Sequence, residues 1–186
     1  MRNGYEGQMI TELEGAILTE IGYRQKRTAF KVRQAFKNSP SSYWQGSAGS
    51  VYPAIKRLIE KNLILASASN DARGTQSLQL TDDGHAALTD WAMDIPACIA
   101  MGADPFRLRA GLWQAMDVSD QMKHAERLAV SIEQAISWLE NYLNNQDQYE
   151  AVQAKLAIEL QQLRLNWTKR RIEELHALKR NQISAN

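Results

Sequence analysis

The stretch Ser39-Pro40-Ser41-Ser42-Tyr43-Trp44-Gln45-Gly46-Ser47-Ala48-Gly49-Ser50-Val51-Tyr52-Pro53-Ala54-Ile55-Lys56-Arg57-Leu58 decides the fold. Its first nine residues form a polar, serine-rich connection carrying Tyr43 and Trp44. From Val51 the apolar residues Val51, Ile55, Leu58 and Ile59 repeat at helical spacing up to Asn62. Proline in a helix interior costs about 3 kcal/mol, but with Ser50 as cap Pro53 falls in the first turn, where its missing N–H had no partner. The helix therefore opens at Ser50 or just before it.

Toward the amino terminus two further helices are expected. Thr28 opens one, with Phe30, Val32, Ala35 and Phe36 facing inward before Asn38-Ser39-Pro40 stops it. Thr11-Glu12-Leu13-Glu14 opens the other as a capping box, and Leu13, Ile17 and Ile21 continue its stripe to Gly22. Beyond Asn62 the period shortens. Residues 63–68 and 75–80 read as two strands of a hairpin, and Thr81-Asp82-Asp83-Gly84 caps a helix through Ala87, Leu88 and Trp91. Three helices, a hairpin and a helix make a winged helix-turn-helix with a two-stranded wing, expected over residues 10–95.

The second half reads differently. Residues 96–103 are expected to be a hinge, and Asp104-Pro105 caps a helix through Phe106, Leu108, Leu112, Trp113 and Met116. Val118, Met122, Ala125, Ala129, Ile132, Ile136, Leu139 and Leu143 then follow at alternating steps of four and three, a heptad pattern. After Asn144-Asn145-Gln146-Asp147 a last long helix carries Tyr149, Val152, Leu156, Leu160, Leu163, Trp167, Ile172, Leu175 and Leu178. Two long amphipathic helices need a partner surface, so residues 104–182 are expected to be a helical, coiled-coil dimerisation domain. Ile132, Ile136, Leu139, Leu143, Leu163 and Trp167 are its candidate contacts. The fold class is mainly α.

Composition bounds the function. The 186 residues hold 44% hydrophobic and 23% charged residues with only ten Gly and four Pro, an ordinary globular balance. Cys98 stands alone, so neither an internal disulfide nor a multi-thiolate metal site is available. No stretch approaches the ~18 apolar residues of a membrane span, and the first nine residues lack a signal-peptide core, so a cytoplasmic protein away from membranes is expected. From Arg24 to Lys61 there are nine Lys and Arg against one acid, Glu60, a local +8 in a chain of net +1. The remainder therefore carries −7, and the cationic segment points to a polyanionic partner. A solvated charged face is the alternative reading.

At this point the chain resembles the PadR-type transcriptional regulators, in the branch with carboxy-terminal helices like those of the virulence activator alpha proteins. The resemblance rests on residues 13–18, on the quoted stretch, on Leu63-Ile64, on Asp71-Ala72-Arg73-Gly74 and on Leu80 through Gly84. Gly46-Ser47-Ala48-Gly49 followed by Val51-Tyr52-Pro53 is its most specific part. Asp104-Pro105-Phe106-Arg107 and residues 167–175 are similar but looser, so the likeness is strong over 11–91 and weaker over 104–178. It implies a bacterial, cytoplasmic, homodimeric regulator of double-stranded DNA, most often a repressor, some members of which release DNA on binding a phenolic or other small apolar effector. The second strand departs from the family. Thr75-Gln76-Ser77-Leu78-Gln79 has no aromatic and no basic residue, which argues against strong wing contact.

In that frame the amino-terminal end of the Ser50 helix enters the major groove. Ser42, Tyr43, Ser47, Gly49, Ser50 and Tyr52 are then the candidate contacts, with Gly49 allowing close backbone approach. Lys56 and Arg57 cannot fully share a face, so one meets phosphate and the other solvent. Lys31 and Lys37 would clamp the flanking backbone, and Arg73 at the wing tip would reach a minor groove. Trp91, Trp113 and Trp138, with Trp167 beside them, are candidate linings of an aromatic effector pocket between the domains, although tryptophans at helical spacing are more often core. His85, His124 and His176 lack companions at ligand spacing, so neither metal nor cofactor is expected. No phosphate loop, dinucleotide fingerprint or nucleophile elbow is present, which argues against an enzyme. The rival to a repressor is a helical interaction scaffold, or an activator of the same fold.

Overall fold

The first two helices begin where a short polar side chain satisfies an orphan amide. Thr11 caps α1 (Glu12–Gly22): its hydroxyl accepts from the Glu14 N–H while the Glu14 carboxylate accepts from the Thr11 N–H, the expected capping box. Thr28 caps α2 (Ala29–Lys37), accepting from the Lys31 N–H at 3.2 Å. These relations come from a computed structural model that describes residues 9–68, 76–100, 102 and 104–184, with side chains to residue 181.

The serine-rich connection is itself helical, where a loop was expected. Ser41 accepts from the Trp44 N–H and opens α3 (Ser42–Ser47), and a 3-10 turn (Ala48–Ser50) runs directly into α4 (Val51–Glu60). Trp44 holds this insert in place, with its ring edge-on to Phe36 of α2 at 5.4 Å between centroids. The continuous path also corrects the reading of Ser50 as a cap. Its backbone is already helical (φ −88°, ψ −4°) and its side chain makes no capping bond, because a capping serine needs extended geometry. Pro53 lies in the first turn of α4, as its chemistry requires.

β1 (Ile64–Ala68) and β2 (Gln76–Leu80) form the expected antiparallel hairpin, with Ile64 opposite Leu80 and Ala68 opposite Gln76. The Leu78 N–H also donates to the Arg27 carbonyl at 2.9 Å, so the segment between α1 and α2 adds a contact at the sheet edge. α5 (Asp82–Ala92) follows its Thr81 cap. Ile17, Leu18, Val32, Val51, Leu58, Leu63, Ile64 and Leu78 make the core that these elements share. Gly84 is compulsory here, since a Cβ would stand 2.0 Å from the Leu63 carbonyl oxygen. The expected hinge begins with a short helix, α6 (Ile95–Ile99), because Asp94 accepts from the Ala97 N–H at 3.1 Å.

The chain parts into two compact units between Ala100 and Met101. In the second unit Asp104 caps α7 (Pro105–Trp113), and α8 (Val118–Leu143) folds back on α9 (Gln148–Ser184) as a helical hairpin. The heptad seam closes inside one chain. Ala129, Ile132 and Ile136 pack on Leu165 and Ile158, Met122 and Ala125 pack on Leu175, and Leu139 is also buried. Of these α8 positions, Ile132, Ile136 and Leu139 were expected to face a second chain. α9 meets them with Ala154, Ile158, Leu165, Thr168, Ile172 and Leu175, while Val152, Leu156, Leu160 and Leu163 stay exposed at 67, 57, 48 and 62%. At ~100° per residue that valine and the three leucines occupy the sector opposite the seam. Among the described residues α9 thus has a second apolar stripe that stays exposed.

Candidate nucleic-acid interface

α4 buries Val51, Ala54, Ile55 and Leu58 and turns Tyr52 and Lys56 outward, the division its apolar spacing dictates. The 3-10 turn ahead of it exposes Gly49 and Ser50, and α3 exposes Ser42 and Tyr43. Nothing lies within 4 Å of where a Gly49 Cβ would stand, so another backbone can approach there. Ser47 is half-buried and donates its hydroxyl to the Tyr43 carbonyl at 2.9 Å, which occupies it within α3. Lys31 and Lys37 are exposed along α2, which packs against α3 and α4. The structure therefore brings nine of the ten sequence candidates onto α2, α3, the 3-10 turn and α4, which are consecutive, with α2 packed against each of the other three. The tenth, Arg73, lies outside the described residues.

The two adjacent cations of α4 separate in a way that their spacing only half disclosed. Lys56 is 81% exposed and reaches Glu60 only at 3.8 Å. Arg57 turns back to α1, its Nε donating to Glu14 Oε1 at 3.2 Å, and Lys61 Nζ donates to Glu14 Oε2 at the same distance. Glu14 is 1% exposed. Burial alone would push its carboxyl up, but the Thr11 N–H and the Arg57 and Lys61 donors together hold it below the ordinary carboxylate range. This clamp was invisible in the sequence, since Glu14 already had a sufficient local role as a capping residue and its new partners lie 43 and 47 positions away.

In the first unit Trp91 packs on Gly15. In the second, Trp138 stacks on Tyr142 at 5.3 Å, whereas Trp113 joins a larger group, edge-on to Phe106 at 5.4 Å and tilted against His124 at 4.8 Å and Trp167 at 6.2 Å. Trp167, expected at a dimer contact, is thereby half-buried under α7 in its own chain. Beside this group lies an open cleft of about 300 Å³ lined by Gln114, Trp167, Arg170, Arg171 and Glu174. Arg171 spans its wall, donating to Gln114 at 2.7 Å and Gln121 at 2.8 Å and pairing with Glu174 at 2.9 Å. Behind it the His124 Nε2 is buried and has no hydrogen-bond partner among the described residues.

Among the described residues no helix is long and apolar enough to cross a membrane. Residues 17–90 match the transcriptional regulator PadR-like family, a family of regulators and not of enzymes. No curated protein sequence matches the chain. Among solved structures it resembles Bacillus subtilis PadR in complex with operator DNA, with a TM-score of 0.72 and 17% identity over 89% of this chain and 99% of that one. The same protein in complex with p-coumaric acid gives 0.71 and 17%, over 88% and 98%. The PadR-like transcriptional regulator BC1756 from Bacillus cereus gives 0.63 and 17%, over 92% and 99%. At these identities the likeness is one of fold.

Proposed function

We propose, from the PadR-like transcriptional regulator domain of residues 17–90, that this chain is a sequence-specific DNA-binding regulator, acting as a repressor on a palindromic operator. The observation that carries the reading is the exposed set of Ser42 and Tyr43 on α3, Gly49 and Ser50 on the 3-10 turn, and Tyr52 and Lys56 on α4, flanked by Lys31 and Lys37. Polar donors and an open backbone at a helix amino terminus suit a groove, while the lysines suit the phosphates beside it. A similar fold, that of Bacillus subtilis PadR, has been solved with operator DNA, which supports the same use here.

A palindrome calls for two copies. The exposed stripe of Val152, Leu156, Leu160 and Leu163 on α9 is the face we assign to the homodimer, with Leu163 the candidate contact from the sequence that this face retains. Ile132, Ile136 and Leu139 support it indirectly by fixing α9 against α8. The cleft beside Trp113 and Trp167 is the site we assign to a small aromatic acid. Its aromatic wall and arginines suit a flat anion, and the related fold has been solved with p-coumaric acid.

Selection from random duplex DNA at about 150 mM salt tests the reading. Recovery of an inverted repeat with half-sites about 34 Å apart, or a multiple of that, with affinity ~10³ or more above random duplex, is expected. Weak binding indifferent to sequence would replace it with the helical scaffold.

A further inference from the structure

Resting on that DNA-reading role, we propose that Glu14 is a positioning and specificity-determining residue: it withholds Arg57 and Lys61 from phosphate so that α4 discriminates by its exposed leading end. Three cations lie along the second half of α4 and its cap, Lys56, Arg57 and Lys61. Two of them meet the same carboxylate, one on each oxygen, both at 3.2 Å. That carboxylate is 1% exposed, whereas the Arg57 and Lys61 side chains are 48 and 35% exposed. A buried acid cannot release its cations cheaply, because an uncompensated charge in that position is strongly destabilising. The phosphates of a duplex, met at an exposed surface in salt, offer each cation less. Arg57 and Lys61 therefore stay with Glu14, and the three groups together carry one positive charge instead of two.

The consequence concerns discrimination. Affinity from phosphate contacts is the same for every sequence and adds to non-specific binding, whereas base-edge contacts separate the operator from the rest. Lys56, 81% exposed and on the next position from Arg57, meets only the exposed Glu60, at 3.8 Å among the described residues, and no buried acid holds it. The clamp also runs from the first turn of α1 to the last turn of α4, so the same bond fixes how α4 is presented.

Salt titration of binding by the full chain, to the selected operator and to a random duplex, separates this from a merely structural role. Glu14→Gln keeps the side-chain shape and a capping-box residue while removing the charge. The expected result is tighter binding to random duplex, a slope of log K against log salt steeper by about 1 for each of the two freed cations that reaches phosphate, and a smaller ratio of specific to non-specific affinity. An unchanged slope and ratio, or a loss of both affinities with no change of slope, would overturn the proposal. Lys61→Gln in the otherwise native chain provides a second readout should Glu14→Gln fold poorly. Its slope is expected to stay as in the native protein, and a slope shallower by about 1 would show Lys61 on phosphate and refute the clamp. Lys56→Gln separates the two claims. A shallower slope in that variant with no effect of Glu14→Gln defeats only the clamp, and no effect of either defeats the placement of α4 on DNA.

Discussion

Trp91 lies flat on Gly15: a Cβ at Gly15 would stand 2.4 Å from the Trp91 Cε2 and 2.5 Å from Cδ2. α1 and α5 can approach this closely only because position 15 has no side chain. Trp91 also packs against the core of the first unit. Gly15→Ala is expected to force the indole out and to destabilise the chain by about 1–3 kcal/mol, as overpacking of a well-filled contact does. Thermal unfolding followed by tryptophan fluorescence measures it, and an unchanged midpoint would contradict the contact.

Tyr52→Ala and Lys56→Ala change exposed residues of α4, so the fold is expected to survive both. Tyr52→Ala should cost about 1–3 kcal/mol of operator binding, and Lys56→Ala should weaken operator and random duplex alike and flatten the salt slope by about 1. Gel-shift titration with parallel circular dichroism checks the pair. Native affinity in both variants would remove α4 from the groove.

The two apolar faces of α9 should respond differently. Leu160→Glu, on the exposed stripe, is expected to yield folded monomers by sedimentation and to lose operator affinity. Ile136→Ala, in the seam, is expected to lower unfolding stability by ~2–5 kcal/mol and leave the native subunit number intact. Dimers that persist in Leu160→Glu would place the interface elsewhere.

Acid should act through two carboxylates. Glu14 is held low as described, and Asp104 is held below its usual range because the Phe106 and Arg107 N–H groups and Arg164 outweigh the opposing effect of burial. Each group therefore binds its proton less readily folded than unfolded. Its contribution to stability is complete above the ordinary carboxylate range and fades as pH falls through the lowered folded value. Urea midpoints of the native chain and of Glu14→Gln and Asp104→Asn, taken from pH 7 down to pH 3, should converge at the acid end. A gap that stays constant with pH would rule out the ionised clamps.

Titration with a small aromatic acid should quench tryptophan fluorescence through the cleft beside Trp167. Trp138→Phe, altered in a separate stacked pair, is expected to keep the response, and Trp167→Ala to lose it. The reverse pattern would move the site to the end of the α8–α9 hairpin.

Local chemistry made much of this protein legible in its sequence. Thr11, Thr28 and Thr81 each cap a helix within three residues of themselves, Pro53 tolerates only a first turn, and the alternation on either side of residue 70 pairs two strands. All of these are decided over a few residues, so a linear pattern suffices. The short helix α3 escaped because its anchor, the edge of Trp44 on Phe36, is a tertiary contact that overrides a composition read as loop. The heptad announced that α8 has a partner, but an apolar stripe does not name what covers it. Only the folded chain shows α9 taking that place, and only there does a second stripe on the far side of α9 emerge. Glu14 gives the same lesson at the candidate site. Its cap could be read from a four-residue box, whereas its hold on Arg57 and Lys61 depends on two helices brought together by a shared core. Sequence determines which groups are present and how each segment begins and ends, and tertiary packing decides which charges and faces remain exposed to act.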